Sequence, residues 1–554
     1  MRYPNGYDPV EAARHCVVTL DKDSPPRVLF CGEDLVEVKL PAGTRVVYAK
    51  PPIPGLTDRQ AAIRHALAHP ENMEPLEALL RPGMKVTIAV DDISLPLPMM
   101  PLPDIRQSVL EILLELLAAK GVDDVHIIIA TSFHRRLTEP EVRRMVGRRI
   151  FDAYYPKRLY NHDGENPDGM VELGRTGHGE PARLNRRAAD SDLLIYSNIN
   201  LVPMDGGHKS VGVGLCDYPT LRAHHTPQAI LASDSYMDPG RSGLAHSCNR
   251  IGRLIEKHLK VFHIETALNN RMFDSLSEFL GGNEDGFTGL DKMKLAATRF
   301  TMSKLSYPTK RRLYFKIPSA YELIGVHAGE TEATHARILQ YCYDQYCIPL
   351  EGQSDVMITG ITYISPYNVN SIMNPVLVQV MALGYFFNFY RGMPVVKKNG
   401  VMIVTHPCYD EFDPVFHPSY IEFFNRVLVE TRDSLVMQKK YEEEFARDPA
   451  YIKMYREGHA YHGVHPFYMW YWGENGRAHI GKVIVVGANN QRVPAILGWD
   501  QADTMEEALE RAESHVGRKP SITLMHFPPI LMADVSGTPE SIPTRTLEPT
   551  AAAL

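Results

Sequence analysis

The sequence predicts a two-domain α/β protein with mainly parallel sheets and an active site in the crevice between the domains. Three observations lead there. The chain has 554 residues, too many for one ordinary core, so two domains of roughly 200–270 residues are expected. Short apolar, β-branched runs recur along it, and each ends abruptly in polar residues. Amphipathic helical patterns lie between those runs. With 44% hydrophobic and 23% charged residues, the composition is that of a globular protein and excludes the disordered and fibrous classes.

The first strand series is MKVTIAV (Met84–Val90) running into Asp91-Asp92, VHIIIA (Val125–Ala130) into Thr131-Ser132-Phe133-His134, and DLLIYS (Asp192–Ser197) into Asn198-Ile199-Asn200. Continuous apolar runs of this kind belong to strands covered on both faces, as in a parallel sheet. Between the first two lies DIRQSVLEILLELLAAKG, an amphipathic helix with Asp104 as N-cap and Gly121 as C′ residue. Thr138 and Glu141 have capping-box spacing. A second series follows: DVMITG (Asp355–Gly360), GVMIVT (Gly400–Thr405), KVIVVG (Lys482–Gly487) and SITLM (Ser521–Met525), separated by helical patterns such as Ile372–Phe386 and the stretch from Thr504. The expected division is an N-terminal α/β domain over 1–270, a connector over 271–318, a C-terminal α/β domain over 319–536 that closes the site, and a flexible tail over 537–554 rich in Pro, Thr and Ala.

Charge and cysteines narrow the class. A formal net charge of −7 gives no footprint for nucleic acid, whose binders carry basic patches. The seven cysteines are scattered and form no CxxC pair, which suits a reducing compartment. MRYPNGYDPVEAARH lacks an apolar signal core, and no run of about 18 apolar residues occurs. A cytoplasmic protein with no membrane partner is expected; the oligomeric state is left open.

In open α/β sheets ligands sit beyond the carboxyl ends of the strands, so Asp91-Asp92, His134 and Asn198–Asn200 should converge on one crevice. The loop DGGHKSVGVG (Asp205–Gly214) follows the third strand directly. Its glycines let backbone approach a phosphate or ring closely, although a tight loop with a solvated lysine looks the same. His134 suits acid–base work, or is a satisfied polar residue at a strand end. His224-His225 are a metal ligand and its neighbour, or two loop histidines. Neither HExxH nor a zinc-type Cys/His quartet occurs, although His406, His417, His459, His462 and His465 are loosely grouped. The absence of GxGxxG at a strand-to-helix turn disfavours a nicotinamide dehydrogenase.

The order of motifs carries more than any one of them. A strand ending in Asp-Asp and a Ser-Pro loop is followed by HRRLTEPE (His134–Glu141), NHD (Asn161–Asp163), a GxTxxGxP element (Gly174–Pro181), GGxK (Gly206–Lys209), and a histidine, His225, sixteen residues past the lysine. VHAGETEATHAR (Val326–Arg337), SPYNVNSIMNP (Ser365–Pro375), NGVMIV and HPSYIEFF continue the series. Over roughly residues 30–530 this resembles the nickel-dependent lactate racemase family, as a divergent homologue. The resemblance implies a nickel-pincer nucleotide tethered as a thioamide to Lys209 by way of dedicated cofactor-biosynthesis enzymes. It implies His225 as the protein's nickel ligand, His134 as base on the substrate hydroxyl, and Asp91, Asp92, Ser94, Gly206 and Gly207 as cofactor contacts. A pincer with an imidazole favours square-planar nickel(II), and the cofactor supplies the difficult chemistry. The implied activity is racemisation or epimerisation of a small-molecule 2-hydroxy acid by hydride transfer.

The departures are specific. Where the family has Asp-Asp-x-Thr-Arg-Pro, this chain has Asp91-Asp92-Ile93-Ser94-Leu95-Pro96. The family's second histidine, about ten residues before the lysine, has no counterpart in NINLVPMDGGHK. His208 and His178 are each a replacement for it, or else a phosphate contact or a surface residue, and His208 is the catalytic candidate. Met373 and Val376 stand where glutamine and lysine are expected. A substrate other than lactate follows: Leu95, Met373 and Val376 point to an aromatic or aliphatic one, whereas Asn198, Asn200, Tyr367 and Asn370, the candidate substrate contacts, would suit a sugar acid. Without a second base, a one-sided redox or elimination enzyme, or a non-catalytic carrier of the cofactor, are the alternatives.

Overall fold

The computed structural model describes residues 3–543. Two sheets, both mainly parallel, carry the architecture. The first has six strands in the order Leu323–Gly329, Val261–Leu268, Leu193–Asn200, Lys85–Asp91, Asp124–Ala130 and Leu159–Asn161. All its pairings are parallel except the edge strand Leu323–Gly329, which runs antiparallel to Val261–Leu268. Its central strands are buried almost throughout, which is why their sequences read as unbroken apolar runs. The Ile105–Ala119 helix starts where Asp104 accepts the Arg106 amide and ends before Gly121. Thr138 and Glu141 form the expected capping box.

The second sheet has nine strands. Its spine is Val17–Thr19, Arg45–Val47, Ile522–Met525, Ser354–Thr362, Val396–Thr405, Lys482–Val486 and Asp500–Ala502. The hairpin Arg27–Gly32/Asp34–Val38 joins it at the end of Ser354–Thr362.

Sheet membership corrects the expected boundaries. Strands from residues 17–47 lie inside the expected 1–270 domain, yet Arg45–Val47 pairs with Ile522–Met525 in the second sheet. Leu323–Gly329 lies inside the expected 319–536 domain, yet it completes the first sheet. A short apolar strand carries no local mark of which sheet it joins; long-range register decides. The 271–318 connector holds two helices, Gly289–Lys304 and Tyr307–Lys316. They pack on the hairpin through Leu295, which joins Phe30 and, from the preceding turn, Leu280, and through Arg311 Nε on Glu33 at 2.6 Å. The first residues of the expected tail are docked: Ser541 bridges Lys398 and the Glu540 amide donates to Gln353 at 2.7 Å. The rest of that tail lies outside the described residues. Among the described residues no helix is long and apolar enough to cross a membrane, and all seven cysteines are free and buried.

Candidate active site

The carboxyl ends of the first sheet open into a cavity of about 230 Å³ that is closed on its far side by residues 362–389, 465–472 and 527–530. Parallel strands make this convergence automatic, because their polar ends all emerge at one edge. Asp91, Asp92, Ser94, His134, Asn198, Gly206, Lys209 and His225 line the cavity together.

His134 sits beyond the Asp124–Ala130 strand, with Nδ1 2.7 Å from Asp92 Oδ2. An ionised carboxylate only accepts, so Nδ1 carries the proton and Nε2 is left as the basic nitrogen. Asp92 is buried, which alone would raise its carboxyl. The His134 ring and the Ser94 amide at 2.8 Å outweigh burial and hold it below the usual carboxylate range. Asp91 behaves oppositely. It accepts from the Ile199 amide at 2.8 Å, but burial dominates and pushes it up to about 7. Arg106 braces the turn between them, with Nε and Nη2 on Asp104 at 2.9 and 2.8 Å and Nη1 on the carbonyls of Asp91, Asp92 and Leu95. Sequence reading missed this residue. Its signal was an arginine two positions after a helix N-cap, a place where a side chain turns back onto the preceding loop.

The glycine loop is strained by design of its partners. Gly206 and Gly207 have φ of 86° and 59°, values costly to any residue with a Cβ. A Cβ on Gly206 would stand 2.6 Å from both the Asn200 amide nitrogen and Glu265 Oε2. The Gly207 amide donates to Glu265 Oε1 at 2.6 Å, and His335 Nδ1 holds the other oxygen at 3.0 Å. Burial would raise Glu265, but His335 and His263 outweigh it and bring it to about 2. The loop delivers Lys209 to the first turn of the His208–Gly214 helix, with Nζ 3.7 Å from Asp205 Oδ1.

His225 ends the Tyr218–His224 helix. Its Nδ1 is 2.8 Å from His224 Nδ1 and 3.3 Å from the Leu221 carbonyl, and its ring stacks on Tyr468. Nε2 has no hydrogen-bond partner among the described residues. Burial, then His224, hold its pKa well below the ordinary histidine range, so the imidazole is neutral, the form that ligates metal.

Other expected site residues are not where the sequence put them. His208 faces away from the cavity, with Nε2 3.0 Å from Glu332 and Nδ1 3.5 Å from Glu256; it neighbours Lys209 in the chain, but the helix turns successive side chains to different faces. His178 lies in an exposed turn, its amide on the Thr176 hydroxyl. Asn200 is fully buried and donates to the Asp205 carbonyl at 2.7 Å, shaping the loop rather than lining the cavity. Asn370 is exposed, 2.7 Å from Glu141. Gly207 lies behind the wall rather than in it. Met373 and Val376 are fully buried core residues outside the lining, so of the three apolar replacements only Leu95 meets the cavity. Tyr367 lines it, with its hydroxyl 2.7 Å from Tyr385, and so does Asn198, held by Asn200 and Ser210.

The wall that sequence reading missed is aromatic. The helix starting at Pro375, capped by Asn374, widens into a π-turn over Val380–Tyr385 and presents Met381, Tyr385, Phe386 and Phe389. Phe386 stacks on Phe527 at 4.6 Å between centroids. His465 completes this wall, one of the loosely grouped histidines of the second half. Lys209 is the one lysine or arginine in the lining among the described residues.

Residues 31–237 match the lactate racemase N-terminal domain. This segment is similar to the lactate racemase family. Lactate racemases of Lactiplantibacillus plantarum and Thermoanaerobacterium thermosaccharolyticum are 28% and 25% identical to the chain over 176 and 173 residues, which is 31% and 30% of the chain. The chain spans 39% and 38% of the length of those relatives in these matches. Among solved structures, the lactate racemase apoprotein of T. thermosaccharolyticum shares the fold, with a TM-score of 0.58 at 18% identity over 92% of this chain and 99% of that one. A Thermotoga maritima protein superimposes with a TM-score of 0.50 at 13% identity, over 86% of this chain and 98% of that one. The lactate racemase-type segment contains Asp91, Asp92, His134, Lys209 and His225; Tyr367, His465 and the aromatic wall lie outside it.

Proposed function

We propose that the protein is a racemase or epimerase of a 2-hydroxy acid other than lactate, one with an apolar side chain, acting with a nickel-pincer nucleotide attached to Lys209. The observation that carries this reading is His134. Its Nδ1 is fixed on Asp92 and its Nε2 is free in the same cavity as Lys209 and His225.

The residues present suit the group. No cluster of three or more His, Cys, Asp or Glu able to hold a metal occurs among the described residues, so a metal here needs donors from another molecule, as a pincer provides. His225 Nε2 would complete its coordination. Lys209, delivered by a loop that only glycine can form, would be the point of attachment, and the Gly206 backbone permits close approach of a phosphate. Bound there, the group would accept and return a hydride at the substrate's Cα. His134 Nε2 takes the hydroxyl proton as that carbon is oxidised to the keto acid and gives it back on reduction, with Asp92 stabilising the imidazolium. The apolar far wall receives the substrate side chain and excludes water.

Chain coexpressed with the cofactor-making enzymes, then incubated with enantiopure 2-hydroxy acids, tests this. Interconversion of phenyllactate or an aliphatic analogue is expected, with an adduct mass on Lys209 that Lys209→Ala removes. His225→Ala should lower nickel content and spare the adduct. Accumulated keto acid would instead mean one-sided redox chemistry, and an adduct without any turnover would mean a carrier.

A further inference from the structure

Three imidazoles line the cavity, His134, His225 and His465, and the chemistry above uses the first two. His465 opens the His465–Tyr471 helix, and its ring centre lies 5.4 Å from that of His134 at 80°. Only 3% of it is exposed. Its Nδ1 is 2.5 Å from the Tyr420 hydroxyl, while Nε2 has no hydrogen-bond partner among the described residues, and the side chain lines the cavity. Two histidines near it are held differently. His417 has both nitrogens engaged, by Ser371 at 3.2 Å and the Tyr367 carbonyl at 2.9 Å. His462 likewise contacts Glu165 at 3.1 Å and the Val464 amide at 3.2 Å. His465 Nε2 therefore faces the cavity, open to a polar group that enters it.

We propose that His465 is a second acid–base residue, beside His134 in the cavity wall and carrying the complementary proton. The inference rests on the 2-hydroxy acid reading above. The Tyr420 hydroxyl has no other acceptor among the described residues, so it donates to Nδ1 and the imidazole proton sits on Nε2. His134 has the reverse arrangement, with its proton on Nδ1 toward Asp92. One ring therefore accepts into the cavity and the other donates. Starting from one enantiomer, His134 Nε2 takes the hydroxyl proton while a hydride leaves Cα for the bound group, and the keto acid results. When the hydride returns to the opposite face, the carbonyl oxygen, now turned to the other side, takes the Nε2 proton of His465. One proton has then passed from His465 to His134 through the substrate. The reverse reaction restores both rings, and so does proton exchange between them. This supplies the second base that the segment before Lys209 lacks, from the other half of the chain.

The test is a titration of full-length protein carrying isotope-labelled histidine with (R)- and with (S)-phenyllactate, observed at the imidazole nitrogens by NMR. His134→Gln and His465→Asn assign the signals, and Tyr420→Phe does so for His465 should His465→Asn fail to fold. One enantiomer is expected to move the His134 signal most and the other the His465 signal. His465→Asn should weaken binding of that second enantiomer about tenfold and leave the first within about twofold, and should slow interconversion by the loaded enzyme about 10²-fold or more. Response of His134 alone to both enantiomers overturns the proposal and leaves the 2-hydroxy acid reading standing. Silence from both rings overturns the two together.

Discussion

The two walls of the cavity are built on different principles. On one side, strand ends and a glycine loop of the lactate racemase-type segment present Asp91, Asp92, His134, Lys209 and His225, with Asp91 and His134 held by short hydrogen bonds to backbone and carboxylate. On the other, Met381, Tyr385, Phe386, Phe389 and Phe527 present apolar surface, with His465 as the imidazole that joins them. The polar wall supplies reactive groups whose geometry admits little change. The aromatic wall supplies volume and shape, which tolerate exchange. On the proposed function, chemistry and substrate choice are separable, and Leu95 lines the cavity where an arginine is expected.

Variants on each wall can break that separation. The largest effect is expected for Lys209→Ala: no adduct by intact-mass measurement and no turnover. His134→Gln should keep the adduct and lower kcat about 10²–10⁴-fold for every substrate; an effect confined to one substrate would mean that the polar wall also sets specificity. Phe389→Leu on the aromatic wall should reduce kcat/KM for phenyllactate about tenfold while leaving a small aliphatic 2-hydroxy acid nearly unchanged, the scale of losing a few methylene-sized contacts. Gly207→Ala acts on stability, costing about 1–3 kcal/mol because φ of 59° with ψ of −153° suits only glycine, and is read as a lower Tm.

The smallest effect lies outside both walls. Glu180 is bonded by Arg250, Ser247 and Thr176. Burial opposes its ionisation, but these partners outweigh it and lower its pKa from 4.5 to about 2. A lowered carboxyl stabilises the fold above its unfolded pKa, and that contribution is lost as pH falls from 4.5 toward 2. Glu180→Gln should flatten thermal stability across that window without altering substrate kinetics. A kinetic change would show that the antiparallel pair Met170–Arg175 and Pro181–Asn185, whose connection carries Glu180, is coupled to the site.

Legibility followed the same divide. His134 and Lys209 could be singled out because each follows a strand or a glycine loop within a few residues, whereas His225, sixteen residues past the lysine, was legible only through the order of motifs. His465 could not, because the side chains that give it its place in the site, His134, Tyr367 and Tyr420, are 331, 98 and 45 positions away in the chain by their numbers. His208 misled for the converse reason: adjacency to Lys209 in the chain puts it on another face of the helix. Arg106 and Glu265, which brace the Asp91-Asp92 turn and the glycine loop, look in sequence like any helix arginine or strand glutamate; burial alone reveals their work.

From sequence alone came the α/β class, the parallel runs, the helix caps and the polar ends that gather at the first sheet's edge. These depend on periodicity, capping and strand direction, which neighbouring residues dictate. Only tertiary structure decided that the N-terminal strands join the second sheet, that Leu323–Gly329 closes the first, and that an aromatic wall with the His465 imidazole lies beside His134. Those features depend on pairing register and on packing between distant segments, which local sequence does not encode.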